Sequence, residues 1–426
     1  MSTVSTVSTV RPVAGVSLPK IAIGLNGGIA LTFLVLWLGM AARGDFWQAD
    51  FTAFYTGWRL VLDGQGDRLY DFDLQTEYQG RLVPGRGGPG ELLPFVWPPH
   101  FILAAPLAYL PLSIAFYLWT AIQLGLLLLL MRWLREEAIA RGESGPALAT
   151  VTFLAFQPLF LSFQLGQLAL ISLVALFGLW RALRSKRYLA AAAWLALASF
   201  KPQLALVPAL FLVGAGYWRV LAYAGGIFGC GAAATTAILG WRCWPDFLRM
   251  TRFHAEQFGS YGIYPLRGHN FKMLFTAILG PERMPTVNLL TGLALLLAMA
   301  SGLMLGRMAR DTGGRRWHLC FALSLLLAVL SAPHLSPHDA LLLVVPAVLF
   351  YNCLQGTEIK HSAAATLAAC AFVLAPLFFL TDSFAMGWWP SQIRPFFIAI
   401  VGMSIWIAEE LIRNRPVVAS GATTGR

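Results

Sequence analysis

Long stretches without a charged residue recur along this chain, and they constrain its fold more than any other feature. The first covers 22 residues from Ile21 to Ala42, and about 20 apolar residues cross a bilayer as one helix. Hydrophobic residues make up 58% of the sequence and charged residues only 12%, whereas soluble domains carry about 25% charged residues. A soluble protein cannot hide this much apolar side chain. The composition therefore excludes a cytosolic enzyme, a secreted domain and a nucleic-acid-binding protein.

The apolar pattern predicts an all-α polytopic membrane protein with about twelve transmembrane helices. The stretches cover residues 21–42, 112–131, 147–165, 167–182, 188–200, 202–215, 219–240, 286–306, 318–332, 340–354, 363–380 and 396–412. Residues 95–110 are also apolar, but prolines interrupt them, and each proline removes a helix N–H and disrupts the preceding turn. We interpret that stretch as a re-entrant or partial segment.

The distribution of charge predicts the orientation in the membrane. Twelve spans with the N-terminus inside place the basic runs at 181–187, 315–316 and 413–415 in the cytoplasm, as the positive-inside rule requires. The rest of the organisation follows from that topology. We expect a disordered cytoplasmic N-terminus (1–20), one transmembrane domain (21–412) with outer loops at 43–94 and 241–285, and a cytoplasmic tail (413–426). Cleavage after Ala41 or Ala42, which would make the first stretch a signal peptide, is the alternative.

Polar residues that interrupt the apolar pattern gather on the predicted outer side. Asp50 begins a segment with apolar residues at helical spacing, which predicts an amphipathic helix on the membrane surface. Lys201 lies between two apolar runs, and an ionisable residue in such a place usually marks an ion or substrate site. The same side carries further polar candidates, namely His100, Gln167, His269, His334, His338 and Asp339.

Each of these features also has a purely structural explanation. Asp50 occupies a favoured helix N-cap position, and Lys201 can extend its ammonium group to the membrane interface. Residues 331–339 suit a hydrophilic turn punctuated by proline. The polar residues of the second outer loop, taken singly, are typical of a surface; they are His254, Glu256, Arg267, His269 and Lys272. No Cys/His cluster has the spacing of a metal site, so we expect no metal and no cofactor.

The ordered motifs of the chain resemble those of the GT-C glycosyltransferases, specifically glycosyltransferase family 87. The resemblance is carried by Asp50-Phe-Thr-Ala-Phe-Tyr55, Leu69-Tyr-Asp71, Trp97-Pro-Pro99, the segment Ala105 to Pro111, Gly166-Gln167, Ser199-Phe-Lys-Pro202 and Ser336-Pro-His-Asp339. Each motif is short, but together they keep their order over about residues 45–340. The resemblance implies a GT-C fold for the transmembrane domain.

The resemblance also implies a reaction, which is metal-independent transfer of a sugar from a polyprenyl-phosphate sugar, with inversion, on the extracytoplasmic face. The acceptor would be lipid-linked or a glycan, the surroundings membrane lipids of the bacterial plasma membrane, and no nucleic acid would take part. Mannose is favoured because the family includes a mycobacterial mannosyltransferase. Asp50 is our candidate general base, with Asp45 in reserve. The candidates for binding donor phosphate or sugar are Lys201, His334, His338, Asp339 and Gln167, with His100 and His269 as secondary candidates.

Three alternatives stay open at this point: a ligase, a transporter, and a scaffold that has lost its activity. A ligase for lipid-linked glycans would share the outer-face base, but it would need a much wider cavity for a polymeric donor. A non-enzymatic transporter of lipids or solutes typically shows pseudo-symmetry between its halves. Lys201-Pro-Gln203 has no counterpart in the second half, which favours an enzyme over a transporter.

Overall fold

The computed structural model describes residues 18–44, 50–85, 97–138, 145–260, 263–310, 314–354 and 395–413. These residues form 17 α-helices and short 3-10 segments, which confirms the all-α prediction. In chain order the helices are α1 (Leu18–Arg43), α2 (Asp50–Leu62), α3 (Phe72–Leu82), α4 (Pro98–Ala104), α5 (Leu112–Ala138), α6 (Gly145–Leu154), α7 (Gln157–Leu165), α8 (Ala169–Arg184), α9 (Tyr188–Ala198), α10 (Pro202–Gly214), α11 (Trp218–Leu239), α12 (Cys243–Glu256), α13 (Phe271–Leu279), α14 (Met284–Ala309), α15 (Arg315–Ser331), α16 (Val344–Leu354) and α17 (Pro395–Arg413). The predictions for Asp45, for span 363–380 and for most of both termini lie outside the described residues.

Four of these helices, α1, α5, α11 and α14, are long and apolar enough to cross a membrane, and a bent pair brings the number to five. Their outer surfaces are apolar: Leu31 and Val35 are exposed on α1, and Leu293 and Leu297 on α14. Residues four apart lie on one helix face, so each pair forms an apolar stripe suited to lipid. The protein is a multi-pass membrane protein. Of the twelve predicted spans, the described residues therefore support four, or five if the bent pair is one span.

The predicted span at 147–165 is not one straight helix, because the structure breaks it into two helices. Helices α6 and α7 meet at an angle of 48°. Phe156 is extended between them, and Pro158 lies in the first turn of α7. A proline in the first turn of a helix removes no intrahelical hydrogen bond. A proline inside a continuous helix would remove one. The break leaves α7 as a short helix. Its C-terminal end is followed directly by Gly166 and by Gln167, a predicted site residue.

The proline-rich segment forms the short helix α4 and a 3-10 turn at Ala105–Tyr109. Seven helical residues rise about 10 Å, so α4 is too short to cross a bilayer. This agrees with a partial segment over the described residues 97–110.

Helix α2 begins at Asp50 as predicted, but it does not lie on the surface with one face exposed. Most of its residues are buried in protein, including Phe51, Phe54 and Trp58. The reason is that aromatic residues occupy several faces of the helix, and the partial segment packs against it. The prediction of an amphipathic surface helix here is therefore wrong in its placement.

The hydrophobic interior consists of a large cluster and a smaller one. The large cluster joins α8, α9, α10, α15 and α16. The smaller cluster surrounds α2 and includes Phe101 from α4 and Trp119 from α5. Leu168 and Ile171, which belong to the smaller cluster, are near the start of α8. The two clusters therefore meet beside Gln167, one of the predicted site residues.

Candidate active site

A cavity of about 300 Å³ collects residues from four separate parts of the chain. These parts are the start of α2, helix α7, residues 263–272 and residues 333–338. The lining comprises Asp50, Leu161, Leu165, Ile263, Tyr264, Pro265, Arg267, Asn270, Lys272, Pro333, His334, Leu335, Ser336, Pro337 and His338. Three predicted site residues, Asp50, His334 and His338, thus face one space.

Gln167 is joined directly to the candidate base. Its Nε2 donates a hydrogen bond to Oδ2 of Asp50, although the two residues lie 117 positions apart in the sequence. Gln167 is itself buried, so its amide is fixed by the surrounding protein. A hydrogen bond to a carboxylate is stronger than one between neutral groups. The pair therefore holds the Asp50 carboxylate in a defined orientation at the cavity.

Gly166 explains why Gln167 reaches Asp50. It ends α7 with φ +66° and ψ +33°, in the left-handed region that favours glycine. Its carbonyl accepts a hydrogen bond of 2.8 Å from Nε1 of Trp119. A Cβ at Gly166 would lie 2.8 Å from Cβ of Phe51. The chain therefore turns tightly against α2 at the residue next to Asp50.

Aromatic packing fixes the remainder of α2. Phe51 contacts the ring of Phe116 edge to face, with centroids 5.0 Å apart, and Trp58 lies 5.6 Å from Trp119. The Tyr55 hydroxyl donates a 2.6 Å hydrogen bond to the carbonyl of Leu110. Aromatic pairs contribute about 0.5–1.5 kcal/mol each beyond their buried area. The candidate base Asp50 therefore lies at the start of a helix, α2, whose position is fixed by packing along its length.

Lys201, His338 and Asp339 form a second group. Lys201 Nζ donates to Oδ1 of the fully buried Asp339 and lies 3.4 Å from Nε2 of His338. The other carboxylate oxygen of Asp339 accepts from the Ser336 amide at 3.1 Å, in a capping box that starts the 3-10 segment Pro337–Leu343. His338 lines the cavity, while Lys201 and Asp339 lie behind it and hold it.

His334 faces the cavity from the connection between α15 and that 3-10 segment. Its ring contacts the ring of His254 edge to face, with centroids 5.9 Å apart. The carbonyl of Ala332 accepts a 2.8 Å hydrogen bond from Nδ2 of Asn270, which ties this connection to the start of α13. Burial lowers the pKa of His334 to about 4. The imidazole is therefore neutral at neutral pH, and a neutral imidazole has one hydrogen-bond donor and one acceptor.

Two cationic residues of the lining, Lys272 and Arg267, were assigned to the surface by sequence reasoning. Lys272 is only 5% exposed, and its Nζ donates to the carbonyl of Ala255 at 3.1 Å. Burial lowers the pKa of its ammonium group to about 8. The guanidinium of Arg267 lies 4.2 Å from the centroid of the Tyr264 ring. The available signal for Lys272 was its place in an apolar stretch directly after the helix-capping Asn270.

The two secondary histidine candidates lie elsewhere. His100 is buried among aromatic rings, 5.3 Å from Phe200 and 5.8 Å from Trp58. Neither of its ring nitrogens has a hydrogen-bond partner among the described residues. His269 is also buried and contacts Phe396 at 5.3 Å. Neither side chain belongs to the cavity lining, so a binding role for them stays a prediction.

Comparison with known proteins identifies the family. The model of glycosyltransferase family 87 matches residues 95–337, which is more than half of the chain. Neither the curated proteins nor the solved structures gave a significant match. The matched region includes Gln167, Lys201, Lys272 and His334. The chain thus belongs to glycosyltransferase family 87, a family of GT-C membrane glycosyltransferases.

Proposed function

We propose that this protein transfers a hexose, with mannose favoured, from a polyprenyl-phosphate sugar to a lipid-linked or glycan acceptor. The transfer takes place on the extracytoplasmic face of the bacterial plasma membrane, with about twelve spans and both termini in the cytoplasm, and it inverts the anomeric carbon. One observation carries the proposal. The Asp50 carboxylate, oriented by Gln167, faces a cavity that His334 and His338 also line.

Asp50 is the general base in this mechanism. The acceptor hydroxyl oxygen attacks the anomeric carbon of the donor, and its proton passes to the Asp50 carboxylate. A base within hydrogen-bond reach contributes about 10²–10⁴-fold to the rate of such a step. The Gln167 amide supports this role because it orients the carboxylate. A carboxylate has about four acceptor sites in total, so the bond to Gln167 leaves acceptor sites for the substrate hydroxyl.

The leaving group is the polyprenyl phosphate. As the glycosidic bond breaks, its electron pair passes to the phosphate oxygen, so no second carboxylate is needed to protonate a departing alcohol. Hydrogen-bond donors that face the developing charge lower the barrier, and His334 and His338 are placed at the cavity to supply them. Lys201 and Asp339 act here through His338, because both contact it from behind.

The size of the cavity supports a donor that carries a single sugar. Its volume of about 300 Å³ lies at the lower end of the roughly 300–1,000 Å³ that is usual for small-molecule sites. A ligase for lipid-linked glycans has to accommodate a polymeric donor. The volume therefore favours the monosaccharide transferase over the ligase.

The direct test is transfer from labelled polyprenyl-phosphate mannose to membrane lipids by purified protein, comparing the natural chain with Asp50→Asn. The variant should insert and fold normally yet lose transfer by about 10²–10⁴-fold. Asp63→Asn is the matched control, because Asp63 lies just beyond the other end of α2 in an exposed ion pair with Arg59. It should retain full activity.

Normal turnover by Asp50→Asn would remove Asp50 from the role of base. Product from neither protein, combined with no binding of the labelled donor, would overturn the proposed donor. The resemblance to metal-independent enzymes adds a further expectation, which is that chelator treatment leaves the transfer rate unchanged.

A further inference from the structure

We infer that Lys272 and Arg267, together with the imidazole of His334, form a phosphate-binding subsite in the cavity. The inference rests on the proposed function, since it assigns a substrate group to that same site. It keeps His334 from the sequence-based expectation but differs in the cations, because that expectation named Lys201 and neither Lys272 nor Arg267. The ligand chemistry is a phosphodiester on a lipid-linked substrate, either the donor or the acceptor headgroup.

Lys272 carries the main part of the argument. Its side chain is almost fully buried and lines the cavity. Among the described residues its ammonium group donates one hydrogen bond, to the Ala255 carbonyl, and an ammonium group has three donors. Among the described residues Lys272 forms no ion pair. A buried charge without a counter-ion is costly, so an anionic ligand would offset that cost.

Lys201 shows the opposite arrangement. Its ammonium group contacts the fully buried carboxylate of Asp339, so its charge is neutralised within the protein. It also lies behind His338 rather than in the cavity lining. Of the two lysines near this site, Lys272 is therefore the one with charge available to a ligand.

Arg267 supplies a second cation with a different geometry. It lines the same cavity, and its guanidinium stacks over Tyr264, which restricts its orientation. It has no ion-pair partner in the described part of the chain. A guanidinium binds phosphate through two parallel N–H groups, whereas an ammonium acts as a point charge. The two side chains together suit one phosphate. Two of its oxygens would accept hydrogen bonds from Arg267, and a third would accept one from Lys272.

The remaining titratable groups of the lining agree with this placement. His334 is neutral at neutral pH because burial lowers its pKa to about 4, and a neutral imidazole can donate one hydrogen bond to phosphate. Asp50 is the carboxylate of the lining, and it would repel a phosphate placed beside it. We therefore place the phosphate at the cationic residues and not beside Asp50, although all of them line one cavity.

Chemical labelling of the lysines tests the subsite without any turnover. Reductive methylation modifies the neutral amine, so the labelling rate of Lys272 reports its protonation and accessibility. Inorganic phosphate is the probe, with sodium chloride at equal ionic strength as the control, and mass spectrometry measures each lysine separately. An opposite charge nearby raises a lysine pKa by about one unit or more, and each unit reduces the neutral fraction about tenfold.

We expect phosphate to slow the labelling of Lys272 by about tenfold and to leave the exposed Lys186 unchanged. The Arg267→Gln variant, which changes an exposed residue and should fold normally, should require several times more phosphate for the same protection. Equal labelling of Lys272 with and without phosphate would overturn the inference. So would equal protection of Lys186, because the effect would then be non-specific.

Steady-state kinetics then identify the source of the phosphate. With Arg267→Gln, a KM raised about tenfold for the polyprenyl-phosphate sugar alone assigns the subsite to the donor, and a raised KM for the acceptor alone assigns it to the acceptor headgroup. Either result supports the subsite, whereas unchanged KM values for both substrates would overturn it. Protection of Lys272 in a protein that neither transfers mannose nor binds the labelled donor would retain the subsite and reject the proposed donor. The two failures are therefore distinguishable.

Discussion

The cavity is lined by two regions that are built in different ways. The acidic wall, defined here as Asp50 with its partner Gln167, comes from the ends of two helices that are fixed by aromatic packing and by the tight turn at Gly166. The basic wall comprises Arg267, Lys272, His334 and His338, and it comes from two 3-10 segments, the first turn of α13 and the connection after α15. Those segments are held by hydrogen bonds from side chains to the backbone, and by the Lys201–Asp339 ion pair.

The difference fits the roles proposed for the two walls. A general base must lie within about 0.5 Å of its productive position, and packed helices provide that precision. A wall that binds phosphate needs charge more than exact placement, and it can be assembled from loops if their backbone is tied down. The acidic wall therefore depends on packing, whereas the basic wall depends on electrostatics.

The largest effect should come from breaking the ion pair behind the basic wall. Lys201→Met leaves the carboxylate of Asp339 buried without its counter-ion, which costs about 3–5 kcal/mol of stability. The double variant Lys201→Met/Asp339→Asn removes both charges and should recover most of that loss. Unfolding by a denaturing detergent, followed by loss of helical signal, measures the difference.

The exposed pair Arg81–Glu77 provides the matched control, since both side chains are more than half exposed. Arg81→Met should cost less than about 1 kcal/mol. If Lys201→Met cost no more than Arg81→Met, the ion pair would not be what stabilises the basic wall.

In the acidic wall, Gln167→Leu removes the amide that orients Asp50. Hydrogen bonds to charged groups contribute about 1.5–3 kcal/mol. If that contribution is lost in the transition state, kcat falls by roughly tenfold to a hundredfold. KM should stay close to its original value, because Gln167 does not line the cavity and acts only through Asp50. A raised KM with an unchanged kcat would instead make Gln167 a substrate ligand.

The sequence predicted the acidic wall better than the basic one, for a physical reason. Asp50 and Gln167 each stand next to local signals, a helical apolar pattern and a glycine, that indicate a defined backbone position. His334 and His338 stand out because polar residues are rare in this chain. Each of these four residues was visible as unusual without knowledge of its partner.

Lys272 and Arg267 were not recognised as lining residues because their place in the cavity depends on a contact between distant segments. Residues 263–272 meet residues 333–338 only in the folded protein, where Asn270 contacts the carbonyl of Ala332. The apolar stretch that follows Asn270 was the one local signal for Lys272, and it does not show which residues cover the lysine. The prediction of an amphipathic surface helix was wrong for the same reason, because the aromatic partners of α2 come from α4 and α5, which are distant in the sequence.

Gly166→Ala tests how far the acidic wall depends on backbone geometry. The left-handed conformation costs a residue with a Cβ about 1–2 kcal/mol, and the new Cβ would also press on Phe51. We expect a loss of stability of that size and a lower kcat, because Gln167 shifts with the turn. Gly125→Ala on α5 is the control, since no atom lies within 4 Å of its added Cβ. That change should leave kcat unaltered, and an equal loss of kcat in both variants would reject the role of the turn.

The smallest effect concerns the charge of the basic wall, and it should be absent at pH 7. Lys272 loses its proton as the pH rises through about 8, so binding of a phosphate should weaken above that pH. The neighbouring His254 and His334 have pKa values of about 3 and about 4 because they are buried; both are already neutral, and Arg267 stays charged. In the natural protein kcat/KM, which reports the free enzyme, should therefore fall above about pH 8. Lys272→Arg keeps its charge throughout this range, and its profile should stay level where that of the natural protein declines. A decline of the same size in Lys272→Arg would assign the titration to another group and would leave the basic wall without a pH-dependent cation.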